Sequence, residues 1–287
     1  MVLTIAVISA GAMGAAIARR LVGNGVRVLT NLTDRSEATR KRAQEAGMQD
    51  VLFQEIASCD FMLSVLPPSD AYALAEKYLK ECSAHITSAP IFVDCNAVNP
   101  STVREIAALF SSTQIQFIDA CIIGGPPTDD GYNPTFYASG QDSSLARFES
   151  LSQVGLKISL LRGNESGVGD ASALKMSYAG ITKGITGLFA TMILSAFESS
   201  PNTAEALLHE LKSSQPALLQ RIVKAIPMMI PKAYRWVGEM EEIAGFVGEG
   251  EGEIYMGLSK LYARIAEGDE RDRERLTNFV QHAQIVL

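Results

Sequence analysis

Cysteine is scarce and scattered. The four thiols, Cys59, Cys82, Cys95 and Cys121, form no Cys-x-x-Cys pair, so nothing suggests a disulfide framework, and they read as reduced, mostly buried thiols of an intracellular protein. Histidine is scarcer still. His85, His209 and His282 have no metal-ligand spacing, and no metal is expected. The acids of "GEGEGE", Gly248–Glu253, lack the spacing of a calcium loop and read as a solvated break between helices. There is no surplus of basic charge: 25 Lys and Arg stand against 32 Asp and Glu, a net charge of −7, with no basic patch, which argues against nucleic acid as a partner. No run reads as long and apolar enough to cross a bilayer, so no membrane is expected. The apolar N-terminus lacks the basic flank of a signal peptide. The expectation is a soluble, cytoplasmic protein.

What is abundant is core-forming residue: 47% of 287 residues are hydrophobic, enough for one large domain or two smaller ones. The first half alternates strand and helix patterns. "LTIAVIS", "VRVLTN", "FMLSVLPP", "IFVDCN", "IQFIDACII", "TFYASG" and "KISLL" read as strands. "AMGAAIARRLVGNG", "SEATRKRAQEAG", "AYALAEKYLKECSAH", "STVREIAALFSS" and "SLARFESLSQ" read as helices, the fourth with Ser101 as N-cap. This alternation predicts a mainly parallel, doubly wound sheet with helices on both faces. Strand signals vanish after Gly163. Helices are expected over 170–197, 203–213, 216–225, 231–246, 254–266 and 271–285. Two domains follow, an α/β domain over 1–164 and an all-helical domain over 165–287.

The first strand runs into "SAGAMGAA", Ser9–Ala16. The dinucleotide fingerprint is G-x-G-x-x-G between a strand and a helix. Ser9 stands at its first position, and Gly11 and Gly14 hold the second and third. Gly11 admits the pyrophosphate close to the backbone. Gly14 lets the helix approach the strand. The N–H groups of Ala12, Met13 and Gly14 open the helix toward an anion.

An NAD site calls for an acid at the end of the second strand to bind the ribose diol. Asn31 stands there instead, followed by Arg35, Ser36 and Arg40. An uncharged strand end with nearby arginines suits a 2′-phosphate. The expected cofactor is NADP (NADPH).

Taken in order, these segments resemble the β-hydroxyacid dehydrogenase, or 6-phosphogluconate dehydrogenase-like, superfamily, which includes the imine reductases. "ISAGAMGAAIARRL" resembles the family's opening loop. "VLPP" resembles the loop under the cofactor, with Leu66, Pro67 and Pro68. "VDCNAVNPSTVREIA" resembles the nicotinamide-side segment, with Asn96. "DACIIGG" sits where the substrate loop falls, which places Ile123, Gly124 and Gly125 against substrate. "GVGDASALKMSYAG" resembles the catalytic helix. "KAYRWVGEMEEIAGF" resembles the helical domain of a phosphogluconate-dehydrogenase-like branch. The resemblance implies a Rossmann domain followed by a helical domain. It also implies an active site in the cleft between them, and a homodimer sharing the long central helix.

In that family, a lysine on the helix is the general acid/base at the alcohol oxygen, and Lys175 falls on it. Ser172, Lys175, Ala179, Thr182 and Thr186 form one small or polar stripe on a helix otherwise apolar enough to be buried all round. Desolvation there would bring a lysine toward the pKa that proton transfer needs. The other reading is a structural lysine paired with a carboxylate. Lys183, two turns on, reads as structural. The family's asparagine one turn after the lysine is Ala179 here, and its loop serine is Ile123, so the pocket reads as more apolar. Tyr178 could donate to substrate. Imine reductases usually carry aspartate or tyrosine at the position of Lys175. The residues therefore point first to an NADP(H)-dependent oxidoreductase acting on a small molecule at a C–OH/C=O centre. An imine reductase or reductive aminase is the alternative, and a non-catalytic NADPH sensor the third reading.

Overall fold

The computed structural model describes residues 2–86, 89–268 and 270–287. The chain divides into two compact units, Met1–Lys175 and Met176–Leu287.

The first unit is built on eight strands: β1 (Thr4–Ile8), β2 (Arg27–Thr30), β3 (Gln49–Asp50), β4 (Phe61–Ser64), β5 (Ile91–Asp94), β6 (Gln116–Ile123), β7 (Thr135–Gly140) and β8 (Lys157–Leu160). Their order across the sheet is β3-β2-β1-β4-β5-β6-β7-β8. All neighbours are parallel except β6 and β7. Helices α1 (Ala12–Gly23), α2 (Glu37–Glu45), α3 (Pro68–Cys82), α4 (Pro100–Leu109) and α5 (Asp142–Glu149) connect them. Alternation along each strand feeds two cores. Ile5, Val7, Leu63 and Val93 pack with Ile17, Leu21 and Phe148 on one face. Ala6, Ile8, Met62 and Phe92 pack with Leu74, Tyr78 and Ile106 on the other. Burial on both faces is why these strands read as unbroken apolar runs. The strand order reverses between β1 and β4, which run parallel, so the turns after these strands open at the switch point where such sheets bind ligands.

Three local expectations are corrected. β4 ends at Ser64, and the two prolines begin a helix: Pro67 is the N-cap of α3 and Pro68 its first residue, where a missing N–H is harmless. The N-cap of α4 is Asn99, whose Oδ1 accepts from the N–H groups of Ser101 (2.8 Å) and Thr102 (3.1 Å); Pro100 takes the first helical place and moves Ser101 inside. β3 and the 3-10 segment Phe53–Ser58 went unforeseen, because Gln49 and Asp50 are exposed and carry no apolar pattern.

The second unit is helical. It holds most of α6 (Asp170–Ser199), then α7 (Pro201–Ser214), α8 (Pro216–Met229), α9 (Ala233–Val247), α10 (Gly252–Glu267) and α11 (Glu270–Val286). α8 runs on through Pro227, and Pro231 lies in a short 3-10 turn ahead of α9. Gly180, Gly184 and Gly187 line the side of α6 that meets α10. A Cβ at Gly187 would come within 2.6 Å of Leu258 Cδ2 and 2.9 Å of the Tyr262 hydroxyl. The Tyr262 hydroxyl donates to the Lys183 carbonyl at 2.6 Å. Lys183 pairs with Glu239, both largely buried, and lies over the Trp236 ring.

The expectation that α6 is buried all round fails. Tyr178, Ile181, Leu188 and Met192 are each about half exposed or more, because the glycine face, not the large apolar residues, meets α10. The expectation that no run could cross a bilayer also needs correcting. By length and composition α6 meets that test, with a mean hydropathy of 1.3 over its best window. The core helix of a globular protein meets it too, and α6 sets its glycines and Lys183 against other helices of its unit.

Candidate active site

The turn between β1 and α1 forms where the sequence places it, with one substitution of means. Gly11 N–H donates to Ser9 Oγ at 3.3 Å, so Ser9 braces the turn with its side chain. The first intrahelical bond runs from Ala15 N to Gly11 O at 2.9 Å. The N–H groups of Ala12, Met13 and Gly14 precede it, and the first turn of α1 carries no acid. These amides and the positive helix end suit a pyrophosphate. Gly14 is sterically required: a Cβ there would overlap the Ser9 carbonyl and lie 3.5 Å from Val7 on β1. Arg42 of α2 adds a brace that no motif announced, donating from Nε to the Ala10 carbonyl at 3.1 Å.

Beyond the end of β2 lies a cavity of about 240 Å³ lined by Asn31, Thr33, Arg35, Phe53, Asp70 and Lys77, among others. Asn31 donates to the Val51 carbonyl (2.8 Å) and to Thr33 Oγ1 (3.2 Å), which fixes the cavity wall. Arg35 lines it. Ser36 does not; its hydroxyl accepts from Thr39 N–H and caps α2. Arg40 turns away, donating to the Arg35 carbonyl (3.1 Å) and standing 3.8 Å from Asp50. Lys77 of α3 enters unforeseen, its Nζ 4.3 Å from the centre of the Phe53 ring; from sequence this segment reads simply as a helix. The Asp50 carboxylate accepts from Leu32 N–H at 2.9 Å. The cavity thus brings two cations, Arg35 and Lys77, together with one acid, Asp70, and Asn31 rather than an acid follows the last residue of β2.

Asn96 sits under the adjoining loops and is 2% exposed. Its Oδ1 accepts from Leu66 N–H at 2.5 Å, and its Nδ2 donates to Ser64 Oγ (2.7 Å) and Asp94 Oδ2 (3.1 Å). The side chain is thus committed to holding the ends of β4 and β5 together. It orders Leu66, Pro67 and Pro68 rather than reaching outward. Burial pushes the Asp94 carboxyl up to about 7, against the hydrogen bond from Asn96 N–H and with the help of Asp119.

Asp119 pairs in register with Asp94 across β5 and β6 and is fully buried. Its Oδ2 accepts from the N–H groups of Gly169 (2.9 Å) and Ser172 (3.1 Å) and from Ser139 Oγ (3.1 Å). Its Oδ1 accepts from Ser172 Oγ at 2.8 Å. Burial raises its pKa, and these bonds oppose the rise. A carboxylate on the first N–H groups of α6 also meets the positive end of that helix. The lone acid in the apolar run "FIDACII" was the available signal, since a buried acid demands donors. One turn past Ser172, Lys175 Nζ donates to the Ile122 carbonyl at 2.8 Å, half-buried at the C-terminal end of β6. Ile123, Gly124 and Gly125 follow directly. The hydroxyls of Thr182 and Thr186 return to carbonyls of their own helix, so the polar stripe narrows to Ser172 and Lys175. Ala179 is buried, and Tyr178 is 49% exposed.

The family model described as the NAD binding domain of 6-phosphogluconate dehydrogenase matches residues 4–160, more than half of the chain. A domain of unknown function, DUF1932, matches residues 199–265. No curated protein matches the chain. Among solved structures, one is a conserved protein of unknown function described as structurally similar to 3-hydroxyacid dehydrogenases. It is 26% identical, with a TM-score of 0.68 over 96% of this chain and 99% of that one. The Mycobacterium tuberculosis 3-hydroxyisobutyrate dehydrogenase with L-serine is 18% identical, with a TM-score of 0.66 over 97% and 99%. The imine reductase from Myxococcus stipitatus in complex with NADP+ is 16% identical, with a TM-score of 0.55 over 98% and 100%.

Proposed function

Because the chain belongs to the family defined by the NAD binding domain of 6-phosphogluconate dehydrogenase, and so to the nicotinamide-dependent oxidoreductases, we propose that it is an NADP(H)-dependent enzyme acting on a small molecule at a C–OH/C=O centre. The observation that carries this reading is Lys175 Nζ, held on the Ile122 carbonyl in the same unit as the phosphate loop. Residues 1–164 would hold the cofactor and residues 165–287 would serve substrate binding and dimerisation.

Ala12, Met13 and Gly14 would meet the pyrophosphate with their N–H groups. Arg35 and Lys77 would meet the 2′-phosphate. When bound, the reduced nicotinamide supplies the hydride. Lys175 gives the carbonyl oxygen its proton in reduction and takes it back in oxidation. Its bond to Ile122 fixes where that proton is offered, and Asp119 sets the helix that carries it. General acid/base catalysis of this kind contributes roughly 10²–10⁴-fold.

A second reading, reduction of C=N, draws support from Ile123, which leaves the stretch after Ile122 without a side-chain group that would bind a carboxylate. The exposed stripe on α6 supports a homodimer built on that helix. The four buried free thiols and the acidic charge suit a cytoplasmic enzyme.

The test is NADPH oxidation with a panel of ketones, aldehydes and keto acids, each with and without an added amine, for wild type and Lys175→Ala. Turnover without amine, lowered at least ~100-fold in the variant with NADPH affinity retained, is the expected result. Turnover only with amine moves the enzyme to the imine reading. Equal turnover in the variant removes Lys175 from the chemistry.

A further inference from the structure

The loop that follows β6 carries a phenol set directly on the glycine turn. Gly125 N–H donates to the Tyr132 hydroxyl oxygen at 3.1 Å. Gly124 has φ +130, and a Cβ there would overlap that same hydroxyl and come within 3.1 Å of Pro134 Cβ, so the turn is shaped around the tyrosine. The loop holds itself in place. Thr128 N–H donates to the Tyr132 carbonyl at 3.1 Å, and Asp130 Oδ1 accepts from Tyr132 N–H at 3.2 Å and from the Thr128 hydroxyl.

Tyr132 is nonetheless 48% exposed, an open position for an aromatic ring with a polar tip. A phenol that accepts a hydrogen bond from a backbone N–H keeps its own proton to donate. Only three peptide units separate Gly125 from Ile122, the residue that holds Lys175, so their Cα atoms lie no more than ~11 Å apart. Lys175 and Tyr132 are therefore tied to the two ends of one four-residue stretch. Between them Ile123 offers no polar side-chain atom.

We propose that Tyr132 is a substrate-specificity residue: its O–H donates to a second oxygen of the substrate while Lys175 serves the reacting one. The preferred substrates are then carbonyl compounds, or the matching alcohols, that carry a hydroxyl or carbonyl oxygen on the neighbouring carbons. This rests on the reading of Lys175 as the acid/base.

The experiment compares 1-hydroxy-2-butanone with 3-pentanone, which has the same number of heavy atoms but lacks the second oxygen. Wild type, Tyr132→Phe and Lys175→Ala are assayed for NADPH oxidation, and binding of both ketones to the protein–NADP+ complex is followed by calorimetry, which needs no turnover. The expected result is a preference of wild type for the hydroxyketone that falls about tenfold in Tyr132→Phe, the worth of one hydrogen bond, through KM rather than kcat. Turnover of 3-pentanone and the melting temperature change much less, by what the loss of the exposed Gly125 N–H bond costs. A purely structural tyrosine would move both ketones together, and that outcome overturns the proposal. So does an unchanged ratio, or the absence of hydroxyketone binding to wild type. A lost preference in Tyr132→Phe with full turnover in Lys175→Ala rejects the lysine reading and keeps the tyrosine's contact.

Discussion

The Asp119 carboxylate on β6 and the Ser172 hydroxyl on α6 stand 2.8 Å apart, with Ser172 N–H and Gly169 N–H on the other carboxylate oxygen. One buried acid thus fixes the start of the long helix, and the next turn of that helix carries Lys175 to the end of the same strand. The register that puts Asp119 beside Asp94 also places two acids side by side in the core.

Burial of Asp94, helped by the neighbouring Asp119, makes stability pH-dependent. The Asp94 carboxyl, held near 7 in the fold against an ordinary 3.8, keeps its proton while the unfolded chain loses it. Stability therefore falls as pH rises from about 4 to about 7, by up to ~4 kcal/mol from this group; the raised pKa of Asp119 acts in the same direction. In Asp94→Asn, the melting temperature should lose most of its dependence on pH over that window. An unaltered profile in the variant assigns the effect elsewhere.

Arg35 and Lys77 line the cavity beyond β2. Arg35→Ala and Lys77→Ala should each weaken NADPH binding about tenfold, or ~1.4 kcal/mol, and leave NADH binding nearly unchanged. Fluorescence titration of both cofactors reads this without turnover. Equal losses for both would place the two cations away from the 2′-phosphate.

The exposed apolar stripe of α6 should be covered by a second copy of the chain. Ile181→Glu and Leu188→Glu together place charge on an apolar interface, and light scattering on a sizing column should show a dimer becoming a monomer. A wild-type monomer would remove the dimer from the proposal.

Lys183 and Glu239 form a largely buried pair in the second unit. Lys183→Met alone strands the carboxylate and should cost about 3–5 kcal/mol, whereas Lys183→Met with Glu239→Leu should recover most of that. Thermal melts of the three proteins test it, and equal melting temperatures for the single and double variants would contradict it.

Much of the first unit was legible. The seven apolar strand runs, their helices and the Ser9–Gly14 loop follow from periodicity and from glycine placement, which act over a few residues. β3 escaped because a two-residue exposed strand has no pattern, and the caps at Pro67 and Asn99 escaped because proline ends one element and begins another with the same chemistry. Of the residues predicted from their distance past β2, Asn31 and Arg35 line the cavity there. Ser36 and Arg40 share that spacing, yet α2 turns them to its own cap and to Asp50. Lys77, Arg42, Tyr132 and the role of Asp119 carry no spacing signature, since each acts on residues far along the chain or across a loop.

The doubly wound α/β unit, the helical unit, the glycine turn after β1 and the position of Lys175 on its helix are all legible in the amino-acid order, because burial and backbone preference write those in local patterns. The tertiary structure alone decided what those side chains touch. It gave Asn96 to Leu66 and Asp94, Asp119 to the start of α6, Lys175 to the Ile122 carbonyl, and the large apolar residues of α6 to its exposed side. Hydrogen-bond partners and helix faces are settled by which elements the sheet order and the glycine contacts bring together, and no local pattern carries that information.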